Sequence, residues 1–258
     1  MSNSPAARTV VGADGCKAGW VAVSLRASGE PEAAVFKAFT DLLEAFPADA
    51  AIAVDMPIGL PAFSARGGRG PETLVRPLLG QRQSSVFSIP SRAALYADTA
   101  DFTTLEAWYG AHARASAVAR ETSDPPRGVS IQAFGIFSKI RELDGLLIAR
   151  PALRSRIVES HPEVAFWQLN GRQAMALPKK IKGRVNPAGM EERKTLLVRH
   201  DLPRAFLDRV PPRGAAEDDF LDAAAVMLVA ERFARGEAIS FPDPPGHDDH
   251  GILVAIWV

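Results

Sequence analysis

The stretch TVVGADGCKAGWVAVSLRASGEPEAAVFKAFTDLLEAFPADAAIAVD, residues 9–55, decides how this chain folds. Thr9–Ala13 and Trp20–Arg26 are apolar and β-branched, with a glycine-rich turn between them, which predicts a hairpin. Ala33–Phe39 follows Gly29–Pro31 as a third antiparallel strand. Thr40 or Asp41 then caps a short helix, DLLEAF, which Pro47 stops. Ala50–Val54 is wholly apolar and ends at Asp55, as suits a buried strand reached through a helical crossover. Three antiparallel strands, a helix and a buried strand make a specific order.

Downstream, the next hundred residues read as mostly helical, with helices over Leu74–Leu79, Thr103–Glu121 and Ile131–Leu147. Arg156–Ser160 is a strand that stops at His161–Pro162, and Pro162 leads into a helix over Glu163–Leu169. Helices follow over Met190–Arg199 and Asp218–Arg235, the second ended by Gly236, and Ile252–Val258 is a closing strand. No repeat, low-complexity tract or long linker interrupts the chain. The simplest reading is one α/β domain over residues 1–258, with a mostly helical insertion at about 60–155.

Acidic residues mark the ends of these elements. Asp14 and Asp55 stand at or beyond strand ends, and Asp218, Asp219 and Asp222 open the last long helix. Carboxylates three or four apart on a helix share one face. If that helix docks beside the strand ends, several oxygens converge, a donor set suited to Mg²⁺ or Mn²⁺. The competing reading is local: Asp makes turns after strands and caps the first turn of helices. Asp218 is the expected cap here, and a helix rotated by one residue exchanges it with Asp219.

Of the 258 residues, 47% are hydrophobic and 23% charged, as in ordinary globular proteins. No apolar run reaches the ~20 residues of a membrane span. The start, MSNSPAARTV, has neither the basic nor the apolar region of a secretory signal. The single cysteine, Cys16, excludes an internal disulfide and points to a cytoplasmic location; beside Lys17 it is either a reactive thiol or a small turn residue. The net charge is zero but unevenly spread. No acid lies between Val164 and Met190, where Arg172, Lys179, Lys180, Lys182 and Arg184 fall; between Met56 and Ala97 five arginines face Glu72 alone. Such segments are either solvated faces or the flanks of a site that holds a polyanion. GxxxxGK[ST], GxGxxG, CxxC and GxSxG are all absent, so P-loop, dinucleotide, zinc-ribbon and nucleophile-elbow readings lack support. HDDH at 247–250 has a metal-motif look but follows Pro242, Pro244, Pro245 and Gly246, a turn-rich approach to the final strand.

GADGCKAGW at 12–20, VDMPIGLP at 54–61, RPLLGQRQSSVFSIPSRAAL at 76–95, SIQAFGI around Gln132 and KIRELD at 139–144 follow one another in a distinctive order. ESHPEVAFWQLNG at 159–171, KKIKGR at 179–184 and DDFLDAAAV at 218–226 complete the set. Nearly from end to end, the chain resembles the DUF429 proteins, described as predicted nucleases with an RNase H-like fold. One departure is Glu72, where the family pattern has Asp; the charge is kept and the reach lengthened. The resemblance implies an RNase H-like mixed sheet: three antiparallel strands, then parallel strands, with helices on both faces. It places an acid on the first strand, another at the end of the fourth, and further carboxylates on the last helix, whose Asp219/Asp222 spacing also looks like the closing helix of RuvC-type resolvases.

The implied chemistry is phosphodiester hydrolysis of nucleic acid at a Mg²⁺ or Mn²⁺ centre, which needs carboxylates bridging cations. On this reading Asp14 is the bridging ligand, Asp55 takes one metal, and Asp222 with Asp219 the other. In ESHPE, Glu159 and His161 are candidates for ligand, proton shuttle or phosphate contact, against the alternative that Pro162 turns the chain and His161 donates to a carbonyl. Arg82, Ser84 and Ser85 are candidate phosphate contacts. Lys179, Lys180 and Arg184 would contact a nucleic-acid backbone, positioning it without reading sequence. RNase H-like folds also host phosphotransferases and inactive scaffolds, so two alternatives stand beside the nuclease. One is a non-catalytic binding protein; the other is a hydrolase or phosphotransferase for a small phosphorylated molecule.

Overall fold

The computed structural model describes residues 8–26, 29–100 and 102–258; the first seven residues of MSNSPAARTV, on which the leader reading partly rests, lie outside them. β1 (Val10–Cys16), β2 (Gly19–Leu25) and β3 (Glu32–Phe36) pair antiparallel, α1 (Phe39–Ala45) crosses over, and β4 (Ala51–Asp55) returns parallel to β1. Between β4 and the next strand of the sheet every element is helical. These are α2 (Pro71–Val75), a 3-10 segment over Arg76–Ser85, α3 (Arg92–Leu95), α4 (Leu105–Glu121), α5 (Ile131–Gly135) and α6 (Phe137–Ala149), with a 3-10 turn at Pro151–Ser155. β5 (Ile157–Ser160) pairs parallel to β4 and leads into α7 (Pro162–Leu169). A small hairpin, β6 (Lys180–Ile181) and β7 (Arg184–Val185), precedes α8 (Pro187–Arg199), α9 (Arg204–Leu207) and α10 (Glu217–Ala234). β8 (Ser240–His247) and β9 (Leu253–Trp257) complete a seven-stranded sheet in the order β3-β2-β1-β4-β5-β9-β8. The fold is RNase H-like, as the family resemblance implies.

Alternation along the strands sorts the core onto two faces. Val11, Ala13, Ile52 and Val54 point toward α1 and the helices between β4 and β5. Val10, Ala51 and Ala53 point toward α10, α8 and α9. α10 lies directly on the sheet and is covered outside by α7 and α8, so even its alanines are buried. Gly12 allows that approach: a Cβ there would meet Ala223 O at 2.1 Å and Met227 N at 2.2 Å. A close helix–strand crossing therefore fixes α10 over the middle of β1.

Several boundaries differ from those expected. β3 stops at Phe36, because Phe39 is fully buried as the first residue of α1. Asp41, rather than Thr40, closes that helix start, accepting from Ala38 N at 3.1 Å. The helix expected over Ile131–Leu147 is two, α5 and α6, broken at Ile136 after Gly135. Leu74–Leu79 straddles α2 and the 3-10 segment. β8 replaces the expected turn-rich approach: it is an edge strand, where prolines such as Pro242 and Pro244 are tolerated because their missing donors face no partner. Among the described residues no helix is long and apolar enough to cross a membrane. Cys16 is buried against the α10 face and is a free thiol.

Candidate metal centre

Odd and even positions decide which acids meet. Asp14 and Asp55 lie opposite each other in the parallel β1–β4 register, and both share the face of Val10 and Ala53 that looks at α10. α10, held close by Gly12, brings Asp222 onto the same point. One carboxylate oxygen from each of Asp14, Asp55 and Asp222 lies within 4.8 Å of the others, a grouping that could hold a divalent metal ion. These oxygens come from elements far apart in sequence, and only the crossing of α10 over the strand ends unites them.

The cluster is electrostatically costly as it stands. Burial raises the Asp14 carboxyl well above its ordinary range, and the charges of Asp55 and Asp222 raise it further. Burial, then Asp222, push Asp55 up to about 8. Asp222 is raised to about 6, burial outweighing the attraction of Lys179. Like charges packed this closely need a counter-charge or protons. Lys179 supplies part of it, its ammonium hydrogen-bonded to Asp222 Oδ2. Asp222 Oδ1 is buried with no hydrogen-bond partner among the described residues. An orphaned carboxylate oxygen among three converging acids suits a hard cation, so the residues fit such a group.

The other predicted residues fall around this centre in distinct ways. Asp219 is outside the converging trio; its Oδ2 accepts from Ala216 N at 3.0 Å and so makes the helix-start contact expected of Asp218. Asp218 is buried and paired with Lys180 at 2.6 Å. Glu159 points to the opposite face, level with Val54. There Arg69 holds it with two hydrogen bonds of 2.9 and 2.6 Å, and Ile58 N donates to it at 2.7 Å. The same guanidinium binds Glu72 at 2.7 Å, so Glu72 is one of two carboxylates in a buried ion-pair network around Arg69. His161 begins α7; its Nε2 lies 3.3 Å from Ser85 O and therefore donates, leaving Nδ1 buried and unpartnered. Burial pushes this imidazole down to about 4, so it is neutral at ordinary pH. Glu163, next along ESHPE, is paired with the fully buried Arg193 at 2.6 Å.

Beside the carboxylates is a recess of about 160 Å³ whose walls include Asp14, Asp55, Ser85, Glu159, His161 and Lys139. Ser85 Oγ donates to Arg82 O at 2.8 Å, Arg82 is half-buried, and Ser84 is exposed on the other side of the loop. Lys180 and Arg184 stand exposed on the β6–β7 hairpin, which carries Lys179 down to Asp222. Asp248 of HDDH is spent structurally, binding Arg92 at 2.6 Å and accepting from Leu60, His250 and Ile252. Two residues escaped the sequence reading. Arg69 organises the loop after β4, and Lys139 reaches the recess from α6 with its ammonium 4.7 Å from the Trp20 ring centroid. Lys139 opens the KIRELD segment, the one signal that pointed to it.

No curated protein and no solved structure matches this chain. One family model does, over residues 12–247, a span that runs from the glycine under α10 to the end of β8. The chain belongs to DUF429, described as a protein family of unknown function.

Proposed function

We propose that this protein is a metal-dependent nuclease that hydrolyses phosphodiester bonds in nucleic acid. The observation that carries the reading is the convergence of Asp14, Asp55 and Asp222 around an orphaned oxygen where the parallel pairing of β1 and β4 ends. Those three side chains would hold Mg²⁺ or Mn²⁺, which supplies Lewis acidity and lowers the pKa of bound water. Asp219 is near enough for its charge to raise Asp14 and Asp55, and it would join as a ligand only by giving up Ala216 N. Lys139 lines the recess from the α6 face, and Lys179 stands on the α10 face as the partner of Asp222, so two ammoniums flank the place that a phosphate's anionic oxygens would take. Lys180 and Arg184 extend that charge along the exposed hairpin as backbone contacts. His161 is neutral, and its free Nδ1 is an acceptor at the recess wall. Glu159, bound by Arg69, positions the loop after β4.

The test is Mn²⁺ titration calorimetry on the protein and on Asp14→Asn and Asp55→Asn, followed by Mn²⁺-dependent cleavage of labelled oligonucleotides. Each variant should lose more than the roughly 10–100-fold in affinity that removal of a ligand's supporting partner costs. Both variants should also lose cleavage. Binding indifferent to both changes would sink the metal centre. Binding without cleavage of any oligonucleotide would favour a non-catalytic protein. A second reading, hydrolysis of a small phosphorylated molecule, draws on the recess of only about 160 Å³. Turnover of mononucleotides but not of oligonucleotides would favour it.

A further inference from the structure

A second, much larger cavity adjoins the recess. It has a volume of about 1160 Å³ and runs between the loop before α3 and the α4–α5 connection. The two segments are tied at its floor, where Ser64 N donates to Thr122 O at 2.9 Å and Asp124 N to Ser64 O at 3.0 Å. Among the described residues no acidic side chain lines the cleft, whereas Arg76 and Arg127 both do. Arg76 is half-buried and its guanidinium meets only neutral acceptors: Val86 O at 3.1 Å, Gly67 O at 2.7 Å and Ser88 Oγ at 2.8 Å. Arg127 is exposed and forms no ion pair among the described residues. Between the two charges the wall alternates apolar and amide groups, Phe87 and Val129 with Gln83 and Gln132.

Cleft and recess share a wall. Val86, Phe87 and Ile89 line both, while Ser84 faces the cleft and Ser85 the recess. A duplex presents its phosphates on its outer face and keeps its bases stacked inside, whereas a cleft that opens beside the recess gives the bases of an unpaired strand a place to lie while its phosphodiester reaches the carboxylates. Unpaired strands are held by cationic side chains along the backbone and by aromatic faces on which bases stack. The cleft offers two arginines and one aromatic side chain, the half-buried Phe87, which lines the recess of the metal centre as well.

We infer that this cleft is the substrate-strand site, and that the protein takes single-stranded or locally unpaired nucleic acid. Phosphates sit at Arg76 and Arg127, a base rests against Phe87, and Gln83 and Gln132 meet base edges. The inference rests on the nuclease reading for its direction, but its test reads binding without catalysis or metal.

The experiment is fluorescence anisotropy in EDTA, with labelled ten-nucleotide DNA and RNA single strands and the matching duplexes. Arg127→Glu is the informative variant, since Arg127 is exposed and supports no packing; Arg235→Glu, on the far end of α10, is the control. Single strands should bind more tightly than duplexes. Arg127→Glu should weaken the single-strand complex roughly tenfold, and Arg127→Ala should lower the salt slope by about 1. The control should stay within twofold. Equal or tighter duplex binding, no single-strand binding, or indifference to Arg127→Glu overturns the inference. Loss of Mn²⁺ binding in Asp55→Asn is read separately, so a failed cleft and a failed metal centre give different results.

Discussion

Asp55 is the residue on which the chemistry turns most visibly with pH. Burial and Asp222 hold its carboxyl at about 8, and Asp222 itself sits at about 6. A cation needs both ionised, so binding must displace protons below those values. Mn²⁺ affinity should therefore climb from pH 6 through pH 8, and Asp14, whose carboxyl is raised as well, adds to the climb. Calorimetry in buffers of different ionisation enthalpy should show proton release on Mn²⁺ binding at pH 7 that shrinks as pH rises. A flat affinity over that range would show that the acids are already ionised. The sign for stability is the reverse. A raised carboxyl keeps its proton in the folded state after the unfolded state has lost it, so stability falls as pH rises from about 4 to about 8. Asp55→Asn removes that penalty. In EDTA at pH 8 it should raise Tm by roughly 3–6 °C, about 1–2 kcal/mol, and at pH 4 by little or nothing. Thermal melts at the two pH values decide it.

At the scale of elements, the contact between α10 and β1 assembles the site. Gly12 was quoted in the sequence as part of GADG, but its importance lies in the 2.1 and 2.2 Å separations that a Cβ would have from the helix backbone. Neither Ala223 O nor Met227 N can swing aside as a side-chain end would. Gly12→Ala should push α10 outward and cost about 2–4 kcal/mol by urea unfolding, at the upper end for overpacking. It should also weaken Mn²⁺ binding, since Asp222 rides on the displaced helix. A variant with normal stability and normal Mn²⁺ affinity would show that the helix is held elsewhere. The β6–β7 hairpin is the opposite kind of element, short and exposed, yet it delivers Lys179 to Asp222. Two-residue strands, each one cation and one apolar residue, give no periodicity, so the basic run at 179–184 was visible while its hairpin was not.

For the molecule as a whole, the Arg69 network joins the loop after β4 to β5 and to the start of α2. Its guanidinium is almost wholly buried between Glu159 and Glu72. Arg69→Met leaves two buried carboxylates without a counter-charge and should cost about 3–5 kcal/mol in urea unfolding. The combination with Glu159→Gln and Glu72→Gln should recover part of that loss, because the remaining groups are neutral. Failure to recover would place the cost in packing rather than charge. By itself the sequence determined the strand order from β1 to β4, the type of nearly every long helix, and Asp14, Asp55 and Asp222 as candidate ligands. Those follow from local period, turn residues and position at element ends. Only the tertiary structure decided that Asp14, Asp55 and Asp222 converge while Asp219 closes a helix start and Glu159 turns to the other face. It also decided that a proline-bearing segment pairs as the edge strand β8, and that Arg69 and Lys139 matter. Convergence depends on which face of a strand a side chain takes and how closely a helix crosses it. Both are set by packing between segments some two hundred residues apart, as Gly12 and Ala223 are, and no local pattern carries that distance.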